Sequence, residues 1–148
     1  MKEKLIFGEK FNHLKYQRRD GYYAVIIDTN KQQVASVLTA KRSYFLPGGG
    51  IEEDETPEEC LRRELLEETG YEINIGSYIG KAQRYFISPQ NEPLLSNGIF
   101  FIAEFIEKVQ EPMDDDHHLR WINLDQVDNL FFHEHHSWAV KKASQRFN

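Results

Sequence analysis

The residues best equipped for chemistry are three glutamates, Glu64, Glu67 and Glu68, in the stretch Arg63-Glu64-Leu65-Leu66-Glu67-Glu68. Placed on a helix at about 100° per residue, the three acids share an arc of about 100°, and Leu61, Leu65 and Leu66 lie on the other side. Glu64 stands three residues from Glu67 and four from Glu68, spacings that bring Cβ atoms to about 5–6 Å. Like charges there repel by a few tenths of a kcal/mol per pair, so the helix either exposes this face to water or holds a cation on it. Upstream, Gly48-Gly49-Gly50 removes side chains from a loop that feeds straight into the acidic segment. Backbone carbonyls there can approach an ion or a substrate closely.

The element that must carry the acids is predicted as a helix over Pro57 to Thr69. Thr56 is a good N-cap, Pro57 occupies the first turn where a missing N–H costs nothing, and Glu59 completes a Thr-x-x-Glu capping box. Gly70 is the natural stop. Before the helix, Tyr22 to Asp28 and the alternating Gln33 to Thr39 read as a hairpin turning at Asp28 to Lys31. After it, Glu72 to Ile87 and Asn97 to Lys108 read as a second strand pair, separated by the turn-like Ser88 to Pro93. Trp121 to Asn123 adds a short strand, and Glu134 to Arg146 reads as a helix by composition. No repeat or linker interrupts the chain, which reads as one α+β domain over residues 1–148.

Composition narrows the field of functions. The chain has 148 residues and a formal charge of -6, from 24 acidic and 18 basic residues. That length can bury a full core without disulfides or a structural metal. The acidic balance argues against binding a nucleic-acid polymer, a mode that draws its affinity from clustered Lys and Arg. Cys60 is the single cysteine, which rules out an intramolecular disulfide and favours a reducing compartment. The apolar run within Met1 to Lys10 is too short for a signal-peptide core, and nothing later reaches the length of a membrane span. A soluble, cytoplasmic location without membrane association is the expectation.

The window from Gly49 to Tyr71 is similar to the signature of the Nudix (MutT-related) hydrolases, Gly-x5-Glu-x7-Arg-Glu-U-x-Glu-Glu-x-Gly-U, with U a bulky aliphatic. Gly49, Glu55, Arg63, Glu64, Glu67, Glu68 and Gly70 supply every fixed identity. At ordinary residue frequencies a given window matches by chance with a probability on the order of 10⁻⁹, so coincidence is no competitor. The one departure is Tyr71, where an aliphatic is usual. Leu46-Pro47-Gly48 and the flanking strand order also resemble the family.

The resemblance implies a Nudix-like α/β/α sandwich, a mixed β-sheet between helices. It implies hydrolysis of a phosphoanhydride bond in a nucleoside diphosphate linked to another moiety, with water as the nucleophile and Mg²⁺ as cofactor, Mn²⁺ being an alternative. Mg²⁺ suits the site because it is hard, takes oxygen ligands and bridges a few carboxylates to substrate phosphates. The implied metal ligands are the Gly48 carbonyl, Glu64, Glu67 and Glu68. Glu64 would also polarise the water, and Arg63 would orient the acids, making Glu64, Glu67 and Arg63 the catalytic set. Glu55, just ahead of the helix where the macrodipole favours negative charge, takes a structural role. The partner is a small nucleotide or other diphosphate, and a homodimer is in keeping with relatives. A nucleotide-binding regulatory module that does not cut is the rival reading, against which the intact acids count.

Outside the motif the assignments are looser. Cys60 falls between Glu64 and Glu67 on the helical wheel and is expected to fill an alanine-sized space rather than to react. Asp115 and Asp116, in Asp114-Asp115-Asp116-His117-His118, are candidates for a further ligand or base, an ordinary solvated loop being the competing reading. The run His133-Glu134-His135-His136 lacks the His-Glu-x-x-His spacing of a zinc site, and surface or helix-start packing is expected. Among basic residues, Arg18, Arg19, Lys41, Arg42 and Arg84 are candidate phosphate contacts, Arg42 foremost because it precedes the glycine loop. Tyr16, Tyr44, Tyr85 and Phe86 are candidates to stack a base, although a chain that is 13% aromatic uses most of its rings for core.

Overall fold

The computed structural model describes residues 5–147; the first four residues of the Met1 to Lys10 segment lie outside the described residues. The strands are β1 (Ile6–Phe7), β2 (Gln17–Val25), β3 (Ile27–Asp28), β4 (Gln33–Leu38), β5 (Tyr44–Phe45), β6 (Gly48–Gly50), β7 (Tyr71–Ile87), β8 (Pro93–Lys108) and β9 (His118–Asn123). The helices are α1 (Pro57–Thr69), α2 (Val127–Leu130) and α3 (Glu134–Ser144). One mixed sheet runs β1-β7-β8-β2-β6, in which β7 and β8 form a long antiparallel pair and β2 lies parallel to β8. In a second sheet β4 pairs with β3 and β5 and, along its other edge, with β9.

The expected hairpin is partly corrected. Ile27 and Asp28 do turn back onto Val34 and Gln33, and the Asp28 carboxylate accepts from the backbone N–H groups of Asn30 and Lys31 to close the turn. Tyr22 to Val25, however, belong to the other sheet, because the chain leaves it at Ile26. The apolar run is continuous in sequence but serves two sheets.

Alternation along β2 sends successive side chains to opposite faces. Ala24 and Ile26 join Ala35, Leu61, Leu65 and Ile73 in one cluster under α1. Val25 joins Phe100, Ile79, Ala139, Val140 and Ala143 in another under α3. The sheets therefore lie between α1 and α3, as an α/β/α sandwich requires, and α1 is pinned by its leucines with its acidic face turned away from them. No helix among the described residues is long and apolar enough to cross a membrane.

Candidate active site

Local chemistry sets α1 in place. Thr56 Oγ1 accepts from the Glu59 N–H at 3.1 Å, and Glu59 Oε1 accepts from the Thr56 N–H at 2.9 Å, so both halves of the capping box are formed. Gly70 ends the helix at φ 78°, and its N–H donates to the Leu66 carbonyl. The glycine run, read from sequence as a loop, is instead the short strand β6, paired antiparallel with Gly21 to Tyr23 of β2.

Two of its glycines have distinct reasons to be there. Gly48 has φ 143°, and a Cβ on it would sit 2.2 Å from the Tyr22 carbonyl oxygen, so backbone geometry excludes any side chain. Gly49 has no such backbone demand. Its imagined Cβ would lie 2.7 Å from Glu64 Cδ, which shows that the Glu64 carboxylate rests directly on the strand. The two halves of the motif thus meet face to face.

Arg63 organises the acids. Its Nε and Nη2 hold both oxygens of Glu55, at 2.5 and 3.0 Å, and Nη2 also donates to the Gly50 carbonyl at 3.0 Å. Its Nη1 donates to Glu64 Oε1 at 2.8 Å and Glu67 Oε2 at 3.3 Å. A planar guanidinium can serve several oxygens at once in fixed directions, which an ammonium cannot. Arg63, aided by the Glu52 N–H, holds the Glu55 carboxyl down to about 2. Glu55 is thereby kept ionised as an anchor. Burial raises Glu64 above the usual carboxylate range, against the opposing pull of Arg63.

Glu68 is the most enclosed of the three acids. Its Oε1 accepts from the Gly48 N–H at 2.8 Å, and burial, with Glu64, Glu67 and Asp114 nearby, raises its carboxyl well above the ordinary value. The 109–117 segment is drawn to this end of α1 by hydrogen bonds from the Val109 N–H to the Gly70 carbonyl and from the Met113 N–H to the Glu67 carbonyl. His117 Nδ1 comes to 3.4 Å from Asp114 and 3.9 Å from Glu68 Oε2, without forming a hydrogen bond.

These oxygens fit a hard divalent cation in chemistry. They are carboxylates of one helix face that raise one another's proton affinity, set against a strand whose missing Cβ leaves room for Glu64. Among the described residues no three His, Cys, Asp or Glu side chains converge on one ligating point, and Arg63 engages Glu64 and Glu67.

A cavity of about 450 Å³ reaches the acids through His117, which lines it and comes to 3.9 Å from Glu68. Phe45, Phe86, Leu94 and Phe132 make its apolar walls, while Lys41 and Asp116 are among its polar ones. Of the aspartates singled out from sequence, Asp116 lines this cavity together with Asp114; Asp115 is not among its lining residues. Asp114 Oδ1 accepts from the Asp116 N–H at 2.9 Å, which gives the segment its turn. Arg42 sits at φ 63° in the turn between β4 and β5 and is not a cavity residue, whereas its neighbour Lys41 is. Arg18 is paired with Asp20 at 2.7 Å.

Arg84 is committed elsewhere in the structure. Its Nη1 donates to the Phe132 carbonyl at 2.6 Å and to His133 Nδ1 at 3.0 Å, and its guanidinium lies over Phe86 and Phe132. The histidine run starts α3, as the helix-start reading expects, but it is not at the surface: His135 and His136 are fully buried. Burial holds His133 down to about 2 and His135 to about 3, so both are neutral. Cys60 is buried with Sγ 3.6 Å from the Gly49 and Gly50 carbonyls, and burial, reinforced by Glu55, pushes its thiol up to about 11. That makes it an unreactive filler. The role of Arg84 had no local signal, because its partners lie 48 and 49 positions away.

Comparison with known proteins agrees with this architecture. The GDP-mannose pyrophosphatase of Escherichia coli (strain K12) is 28% identical over 110 residues, covering 66% of this chain and 55% of that protein. A putative 8-oxo-dGTP diphosphatase of Bacillus subtilis (strain 168) is 35% identical over 68 residues, 43% of each chain. The chain thus spans about half the length of these curated relatives, 55% and 43%. A solved NUDIX hydrolase from Nitrosomonas europaea superposes with a TM-score of 0.73 at 16% identity, covering 88% of this chain and 90% of that one, and so shares the fold. The family model described as NUDIX domain matches residues 17–143, and with the motif, the sandwich and the acid cluster in register, this chain belongs to the NUDIX family.

Proposed function

We propose that the chain is a pyrophosphohydrolase that cleaves a phosphoanhydride bond in a nucleoside diphosphate linked to another moiety. The observation that carries this is the meeting of Glu64 and Glu68 with the glycine strand, while Arg63 ties Glu64 to Glu67. The Gly48 carbonyl, Glu64, Glu67 and Glu68 would hold Mg²⁺, or Mn²⁺ in its place. Such an ion supplies Lewis-acid polarisation of phosphate oxygens and a lowered pKa for bound water.

The chain's own residues do the rest. Arg63 ties Glu64 Oε1 and, among the described residues, makes no bond to Oε2, so one oxygen is held ready to take a proton from the attacking water. The water oxygen bonds to phosphorus as the bridging P–O bond breaks, and the electron pair leaves with the departing phosphate. Asp116, on the cavity wall, is the second candidate for the proton. Glu55 holds Arg63 and stays outside the reaction. The cavity takes the group beyond the phosphates. The relatives named for GDP-mannose and 8-oxo-dGTP support placing nucleoside-diphosphate sugars and nucleoside triphosphates first among substrates to try.

The test is product release from a panel of nucleotides and other diphosphates with and without Mg²⁺. Turnover lost in EDTA and in Glu68→Gln supports the reading. Tight binding with no turnover across the panel favours a regulatory module instead.

A further inference from the structure

A buried histidine that lines the cavity, His133, has a feature that the hydrolytic machinery does not use. His133 is 7% exposed, and the accessible part belongs to a residue that lines the cavity. Its Nδ1 lies 3.0 Å from Arg84 Nη1. A guanidinium has five N–H donors and no acceptor, so Nδ1 must be the bare, accepting nitrogen. With the ring held neutral by burial, the proton sits on Nε2. Arg84 therefore fixes the tautomer, while its second bond from Nη1, to the Phe132 carbonyl, fixes the chain segment that carries the imidazole.

The imidazole packs against the rings of His135 and His136, at 4.9 and 5.1 Å, and against three phenylalanines. The rings of Phe86 and Phe132 stand 4.8 Å from the imidazole and that of Phe45 at 5.5 Å, all edge-on, and all three line the same cavity. Among the described residues the sealed and unpartnered polar atoms include His135 Nδ1 and His136 Nε2, but not His133 Nε2. Among the described residues that nitrogen makes no hydrogen bond, and it is not one of the sealed atoms. An N–H donor with a locked tautomer, set among aromatic rings in an open cavity, costs free energy unless something in the cavity accepts from it.

We infer that His133 is a specificity-determining residue whose Nε2–H donates to an acceptor on the planar, base-like group of the substrate, and that Arg84 is the positioning residue that holds it. The aromatic walls favour a flat π-system over a hydrated sugar, and the donor requires a carbonyl oxygen or ring nitrogen on its edge. Arg84 thus acts on substrate choice through His133 and not by touching phosphate. The inference rests on the hydrolytic reading for its kinetic consequence, not for its binding consequence.

The experiment uses the full chain labelled with ¹⁵N-histidine. Long-range ¹H–¹⁵N spectra report which ring nitrogen of His133 is protonated, and nucleoside monophosphates are titrated against ribose 5-phosphate as the base-free probe. The expected result is an Nε2–H tautomer in the free protein and a shift of that nitrogen with nucleoside monophosphates but not with ribose 5-phosphate. An Nδ1–H tautomer, or equal shifts with both probes, overturns the inference. In turnover, His133→Phe raises KM for nucleotide substrates about tenfold, with the loss carried in KM more than in kcat, and His133→Gln recovers part of it by keeping an N–H donor. An unchanged KM in His133→Phe overturns it. Arg84→Met, read by the same spectra, releases the tautomer to a mixture, and a tautomer still locked there refutes the positioning role. If the wild-type chain cleaves nothing in the panel, the hydrolytic reading fails while the spectra still decide this one.

Discussion

Gly49→Ala separates the catalytic reading from a merely structural one, because the structure assigns the clash to one functional group. A Cβ at residue 49 would stand 2.7 Å from Glu64 Cδ and 2.8 and 2.9 Å from its two oxygens, whereas ordinary contact begins near 3.4 Å. The carboxylate must therefore retreat by about 0.7 Å. It can do so cheaply, since it is the end of a flexible side chain, and alanine suits a strand better than glycine by roughly 0.5–1 kcal/mol. Folding should survive, and thermal midpoints within a few degrees of wild type are expected. Catalysis should not, because a misplacement on the order of 1 Å at a reacting group can cost about a hundredfold in rate. Gly50→Ala is the matched control, as its Cβ would meet only the Asp20 carbonyl oxygen, at 3.8 Å. Steady-state phosphate release at saturating Mg²⁺, with calorimetric midpoints alongside, is the assay. The reasoning is refuted if Gly49→Ala keeps more than a third of wild-type kcat, or if Gly50→Ala loses as much as Gly49→Ala.

Three further outcomes are expected. Arg63→Lys keeps the charge but loses the fork that serves Glu55, Glu64 and Glu67 together, so kcat should fall at least tenfold in steady-state assays; near-wild-type kcat contradicts the organising role. Replacing Asp114, Asp115 and Asp116 with Asn should cut the rate while leaving Mg²⁺ affinity by calorimetry largely intact, and an unchanged rate dismisses this loop as a source of the base. Below pH 6.5 the unfolded chain takes up protons that the folded histidines refuse, with His133 held to about 2, His135 to about 3 and His136 well below its ordinary value, so stability is full above that pH and is lost as pH falls. Each contributes up to about 1.4 kcal/mol per pH unit. Glu68 and Glu64, both raised in the folded state, pull the opposite way, and the Glu68→Gln background removes the more strongly raised of the two. Urea unfolding of that variant at pH 7 and pH 5 should show a drop of more than about 2 kcal/mol; equal stability at the two pH values contradicts the buried, neutral cluster.

What could be read directly from sequence is what neighbouring residues decide among themselves. The bounds of α1 follow from Thr56, Pro57, Glu59 and Gly70, all within one window, and the structure has the same helix and both halves of the capping box. That the glycine run and Glu64 serve one site followed from the family resemblance, whereas their contact came only with the fold, which makes the expected loop a strand paired with Gly21 to Tyr23. Local pattern was blind to partners brought from afar. Tyr22 to Asp28 looks like one strand, and only pairing with Ile99 to Ile102 on one side and with Val34 on the other shows that it serves two sheets. A run of histidines beside a glutamate looks polar. Leu46 donating its N–H to His136 Nδ1 and Ser96 meeting His135 Nε2 supply the partners that let those rings be buried. Arg84 looked like a free cation near phosphate for the same reason, until the fold brought Phe132 and His133 to it.

The central claim is that three glutamates and a glycine strand, steered by Arg63, cleave a phosphoanhydride bond with metal help. The most direct measurement is hydrolysis in ¹⁸O-water of the best nucleoside-diphosphate substrate, comparing wild type and Glu68→Gln in Mg²⁺, in EDTA and after Mg²⁺ is restored. Wild type should place one ¹⁸O per turnover in one phosphate product, lose turnover in EDTA and recover it on restoring Mg²⁺, and a folded Glu68→Gln protein should lose at least a hundredfold. Turnover that persists in EDTA, or a Glu68→Gln variant as active as wild type, would contradict it.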